Sequence, residues 1–247
     1  MRALSQSTTK KSTTKKPATM KPATKKSSTK KSATRKSAVK QATTRRPREM
    51  QVTETTDASQ NARAERMRTA LGRIKAWLRS NKAEDIVANL APPTSDEEIA
   101  SCAKVLGFAI PDDLRELWLL HGGQNVEKTH PFLESHDLLG PAMAASVRHD
   151  FLSTLPILRD APDDLVEVTE EELASDEWLT IGKCGRWDVR VICAPTGRLF
   201  GSSPDYPQLY AISGSLLDWL ETFAEGAESG EYEVIRLGES CFVSPIL

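Results

Sequence analysis

Leu90 to Gln124 reads LAPPTSDEEIASCAKVLGFAIPDDLRELWLLHGGQ. Pro92 and Pro93 end whatever precedes them, because proline removes a backbone donor and restricts its neighbour. Ser95-Asp96-Glu97-Glu98 then has the spacing of a capping box, with Ser95 as cap and Glu98 reaching back. Ile99, Cys102, Ala103 and Leu106 fall on one face of the helix so started, and Gly107 stops it. Cys102 therefore takes a core position, which favours a structural thiol. Pro111 suits the first turn of a second helix, and Asp112 and Asp113 suit its electropositive start. Leu114, Leu117 and Trp118 form its apolar face. It ends near His121, before Gly122-Gly123.

Upstream, Met67, Leu71, Ile74 and Leu78 recur at spacings of four, three and four, and Ala70 and Trp77 widen the stripe. Arg66, Arg68, Arg73 and Arg79 occupy the other side. Residues 49–60 read as a polar transition. Downstream, His136 to Leu139 is a short strand candidate. Pro141 to Leu155 is a helix candidate with Ala142, Ala145, Val147 and Phe151 inward. Residues 159–176, rich in acids that include Glu170, Glu171 and Glu172, read as a solvent-facing excursion. Strands are expected at Trp178 to Ile181 and at Asp188 to Cys193, the latter alternating polar and apolar. A turn at Pro195-Thr196-Gly197 leads into Arg198-Leu199-Phe200. Ser213 is expected to cap a helix with Leu216, Leu217, Trp219, Leu220 and Phe223 inward. Tyr232 to Ile235 and Cys241 to Val243 are expected as closing edge strands. Helices followed by a meander make an α+β domain, helices packed on a largely antiparallel or mixed sheet, spanning 61–247.

The first 60 residues have the opposite chemistry. Residues 1–50 hold 16 lysines and arginines against one acid, Glu49, a charge of +15; the remaining 197 hold 17 basic and 33 acidic residues, −16. Basic pairs recur every five residues or multiples of five at Lys10-Lys11, Lys15-Lys16, Lys25-Lys26, Lys30-Lys31, Arg35-Lys36 and Arg45-Arg46, with Lys21 and Lys40 between. The spacers are Ser, Thr, Ala and Pro, too polar to bury enough surface to offset the entropy of ordering them. A disordered tail with an even line charge is expected. It resembles in composition the tails of linker histones and of bacterial histone-like proteins. Such a tail binds nucleic acid or another polyanion by counterion release, without sequence preference. A solvated linker or a targeting segment is the alternative.

Three blocks resemble the SUKH superfamily, in the branch named after the fungal Smi/Knr cell-wall assembly regulators. The first is the opening stretch, with Leu106-Gly107, then Ile110-Pro111-Asp112-Asp113-Leu114-Arg115, then His121-Gly122-Gly123-Gln124. The second is the strand led by Trp178. The third is the late helix from Ser213 with Trp219. One departure is the turn Lys183 to Trp187, where the family often has glycine and aspartate. The resemblance implies an α+β protein-binding domain, an immunity protein neutralising a toxin in bacteria or a regulatory scaffold in fungi, with no general enzymatic activity.

The residues themselves point away from catalysis. His121, His130, His136 and His149 contain no close-spaced metal-binding pair, and no phosphate-binding glycine motif occurs. Cys184 and Cys193 are the nearest approach to a zinc pair if a hairpin sets them face to face. No catalytic residue, cofactor or metal is expected. The four cysteines form no C-x-x-C, and no apolar run reaches membrane-spanning length. A cytoplasmic protein is expected, either a binder of another protein such as a basic toxin, or a nucleoid-associated protein whose tail is the main functional part.

Overall fold

The computed structural model describes residues 48–128, 130–160, 167–184, 189–203 and 208–246. The paired lysines and arginines of the tail and the turn residues 185–188 lie outside them. The first helix, α1 (Arg48–Ser80), buries Met67, Ala70, Leu71, Ile74 and Leu78 completely, as their spacing requires. It begins well before its apolar stripe and takes in the segment read as a polar transition. Residues there such as Glu49, Gln51, Gln60 and Ala62 are good helix formers, so backbone propensity extends the helix. Arg66 grips Glu221 at 2.9 and 2.6 Å, and Arg73 grips Glu228 at the same two distances. Both pairs step seven residues along α1 and along α8 (Leu216–Ser229), so the two helices run parallel.

After α2 (Glu84–Ala88), α3 (Asp96–Leu106) and α4 (Asp112–Leu120) follow the sequence expectation closely. Ser95 accepts from the Glu98 amide at 3.2 Å, and the Glu98 carboxylate accepts from the Ser95 amide at 2.9 Å. Gly107 closes α3 with a left-handed φ of 82°. Pro111 stands one position before the first turn of α4.

Five antiparallel strands form one meander in the order β1 (Asp137–Leu138), β2 (Leu179–Cys184), β3 (Val189–Cys193), β4 (Leu199–Ser203) and β5 (Gln208–Ser213). Period-two alternation divides them between two cores. Leu179, Ile181, Val191, Cys193 and Leu199 join the main core with α1, α4 and α8. Ile192, Ala194, Phe200 and Leu209 meet Phe151, Leu155, Leu158 and Trp178 on the other face. These last come from α5 (Pro141–Leu152), from α6 (Leu155–Arg159), and from the residue ahead of β2. Within α5, Pro141, Ala144 and Phe151 are buried and Ala145 and Val147 pack half-buried against the main core; Ala142 is exposed, a correction to the expected face. The last two strands, β6 (Tyr232–Leu237) and β7 (Ser240–Pro245), pair as a separate hairpin sheet and do not close the main one.

Two further expectations are corrected. Glu172, within the acidic excursion, is fully buried in α7 (Glu170–Ala174). Its carboxylate accepts from the Thr169 amide, the Thr196 hydroxyl and Arg198 at 3.0, 2.5 and 3.0 Å, and its carbonyl accepts from the Trp178 indole at 2.9 Å. A buried carboxylate is stable only with such a full set of donors. Ser213 ends β5 opposite Leu199, and Ser215 is the residue that caps α8, accepting from the Asp218 amide at 3.1 Å.

Candidate partner-binding site

The residues of the opening stretch act first as fasteners. Gln124 is the densest of them. Its side-chain oxygen accepts from the amides of Phe132 and Leu138 at 3.0 and 2.8 Å, and its amide group donates to the His130 carbonyl at 2.8 Å. One side chain thus holds the whole 130–138 excursion. His121 donates from Nδ1 to the Ala91 carbonyl at 3.3 Å and leaves Nε2 facing the Lys75 ammonium at 3.1 Å. Burial, and then the Lys75 charge, hold the imidazole below its ordinary pKa, so it serves as a neutral clamp between α1, α4 and the proline lead. Gly123, at φ 103°, passes so close to Gly140 that a Cβ would meet its amide nitrogen at 2.3 Å. Trp118 donates to the Leu139 carbonyl at 2.9 Å. Arg115 pairs with Asp96 at the start of α3 and with Glu116.

Leu106, Leu114, Trp178 and Trp219 are wholly or largely buried packing residues. None of the family-signature residues presents a reactive group to solvent in concert with another. Cys184 and Cys193 are not face to face: the register sets Cys193 opposite Leu179 and Cys184 opposite Val189, at the two ends of the ladder.

Beside this frame lies a cleft of about 410 Å³, the size of a ligand-scale depression. It opens between the starts of α4 and α8 and the β3–β4 turn. Asp112, Asp113 and Glu177 line it with one cation, Arg63. Arg63 lies 3.0 Å from Asp113 and 3.7 Å from Asp112. Asp113 is 93% buried and accepts from the Leu217 amide at 3.2 Å, so a residue of α4 caps α8. Cys193, also on the wall, has its thiol pushed up to about 12 by burial and then by the Asp113 charge. It stays protonated at neutral pH and is a poor nucleophile. The cleft offers a carboxylate surface to a cationic group.

The sequence profile of the SMI1 / KNR4 family (SUKH-1) matches residues 93–227, more than half of the chain. The chain belongs to the SMI1 / KNR4 (SUKH-1) family. Domains of this family are typically immunity-like modules that bind partner proteins. No curated protein matches the chain. In this SUKH-1 domain the structural unit exceeds the matched span: α1 and α2 ahead of it, and β6 and β7 behind it, supply buried residues to the main core, among them Ile74, Ile86, Cys241 and Val243. Among the described residues no helix is long and apolar enough to cross a membrane, and no group of three or more His, Cys, Asp or Glu side chains is placed to hold a metal ion.

In the SUKH-1 sequence Asp112 and Asp113 are legible as helix-start residues, and the cleft is not. Arg63, Glu177 and Thr196 come from three other segments, and only the fold brings them to α4. The acidic bias of the body was the one available signal.

Proposed function

We propose that this chain is a non-enzymatic protein-binding module of the immunity type. Its acidic body captures a basic partner protein in the cytoplasm, and its lysine-rich tail adds contact with nucleic acid or another polyanion. One observation carries the reading: the body bears a charge of −16, and Asp112, Asp113 and Glu177 line its cleft against the single cation Arg63. A guanidinium or ammonium entering there finds carboxylates already gathered, and long-range attraction speeds the encounter. Toxins that cleave nucleic acid carry basic surfaces to grip phosphate, so an acidic domain fits them by occlusion alone. A regulatory scaffold for a basic client uses the same contact. The tail favours a second reading, in which a histone-like segment is the principal part and the domain an adaptor.

The test is a pull-down from nuclease-treated lysate with the full chain, read by mass spectrometry, followed by titration of any partner. The expected result is one basic protein at one-to-one stoichiometry, with affinity reduced at least tenfold by the double variant Asp112→Lys, Glu177→Lys. Asp113 is left intact because it caps α8. Unchanged affinity in a variant with an unaltered circular dichroism spectrum removes the cleft. No partner, together with salt-sensitive DNA binding, moves the function to the tail.

A further inference from the structure

The body bears −16, yet two neighbouring cations near the end of α1 stand apart from its carboxylates. Lys75 and Arg79 are four residues apart on the helix, so their side chains are neighbours on one face. Among the described residues neither forms an ion pair, whereas Arg63, Arg66, Arg68 and Arg73 of the same helix all do. Arg79 is exposed and Lys75 is half-buried.

What Lys75 meets instead is a histidine. Its Nζ lies 3.1 Å from His121 Nε2, and His121 Nδ1 lies 3.3 Å from the Ala91 carbonyl. A carbonyl only accepts, so the neutral ring carries its proton on Nδ1 and turns the lone pair of Nε2 towards the amine. A base within reach of a nucleophile, itself oriented by a third group, is the arrangement that activates the nucleophile. The charged or titratable groups around Lys75 are thus His121 from the end of α4 and Arg79 on its own helix. Burial, and then the Arg79 charge, lower the Lys75 ammonium from its ordinary pKa. Lys75 lies ahead of the residues that match the family, so the pair is a feature of this chain outside that span.

We infer that Lys75 is an acylation site for a small acyl phosphate, with His121 as its base and Arg79 as the contact for the phosphate. Two cations without an acid favour an anionic electrophile, and an exposed guanidinium matches the oxygens of a phosphate. The amine also needs an acyl group with a good leaving group, which phosphate supplies. Nζ attacks the carbonyl carbon. The carbon–oxygen bond to phosphate breaks, and its electron pair leaves on the phosphate. The proton lost from Nζ passes through His121 Nε2 to the departing phosphate. The products are an amide on Lys75 and inorganic phosphate, so each chain reacts once and the event is a modification of the domain, with no turnover. It cancels one of the few positive charges on the body and is independent of the cleft.

The full chain is incubated with acetyl phosphate at pH 7.5, and acetylation of each lysine is followed over time by mass spectrometry. Lys104, exposed on α3, is the internal reference. Lys75 is expected to react at least tenfold faster than Lys104, and its rate to level off at a lower pH. His121→Gln lowers the Lys75 rate at least fivefold and leaves Lys104 unchanged. Because His121 also clamps the fold, Arg79→Gln, at an exposed position, is the second variant. It slows Lys75 at least threefold more with acetyl phosphate than with the uncharged thioester S-acetyl-N-acetylcysteamine. A Lys75 no faster than Lys104, or indifferent to both variants, shows a fastening hydrogen bond only and overturns the proposal. A fast Lys75 that Arg79→Gln slows equally with both donors overturns the acyl phosphate as the substrate class.

Discussion

Asp137 lies in β1, 8% exposed, and its Oδ1 meets no donor among the described residues. Burial pushes its carboxyl up to about 7. The unfolded chain releases this proton near the ordinary value of about 4. Between pH 4 and 7 the folded state therefore binds more protons than the unfolded one, and stability falls as pH rises, levelling off above 7. His136 beside it works at the other end of the range. Burial lowers its pKa, so the fold opposes its protonation and loses stability as pH drops below about 6.5. Asp137→Asn separates the two. The variant is expected to melt roughly 4–8 °C above the parent chain at pH 8, from about 2 kcal/mol of relieved desolvation at 2–4 °C per kcal/mol, and to lose this advantage at pH 4. Thermal melts at both pH values check it; an equal shift at each would mean that the effect is packing and not charge. Gln124 and Glu172 show the opposite treatment of buried polar groups, with each side-chain oxygen given a donor.

Among the elements, helices were the most legible in the sequence. The stripes of α1, α3, α4 and α8 repeat at helical spacing, and Ser95 and Gly107 mark ends by local chemistry. The strands of the β2–β3–β4 meander were legible from alternation and from the Pro195-Thr196-Gly197 turn. β5 was not, because QLYAIS lacks clean alternation and its partner β4 is short. The role of Glu172 was hidden for a different reason: nothing near it in sequence announces Arg198 and Thr196, which arrive from the neighbouring hairpin. The cleft, built from five segments, had no contiguous trace at all. A consequence for α1 follows from comparing its two faces. The Arg66–Glu221 and Arg73–Glu228 forks are solvent-exposed, and such pairs contribute little to stability. The buried stripe must hold the helix. Ile74→Ala is expected to cost about 2–5 kcal/mol through lost burial and a cavity. Replacing both arginines by alanine should cost less. Urea unfolding of the two variants compares them directly; a larger loss in the arginine variant would show that the ion-pair ladder, not the core, holds α1.

Over the whole molecule, a formal net charge of −1 conceals +15 in residues 1–50 and −16 in the remainder, so the two regions should answer to different partners and different salt dependences. A tail with 16 lysines and arginines that contacts six to ten phosphates releases about as many condensed counterions, because the slope of log K against log salt is about −0.9 per contact. Binding of the full chain to a duplex of arbitrary sequence is thus expected to weaken by about 10³–10⁵ between 50 and 200 mM salt. The double variant Asp112→Lys, Glu177→Lys alters only the body. It removes carboxylates that would attract a basic protein, and it leaves the tail's phosphate contacts unchanged in number. Its DNA salt slope should match that of the parent chain, whereas its affinity for a basic protein drops. Fluorescence anisotropy with a labelled duplex over a salt series measures the slope for both chains. A slope near zero would exclude the tail as a polyanion binder. A slope that changed with the body variant would mean that the acidic body itself modulates the tail, and the assignment of the two charges to separate partners would no longer hold.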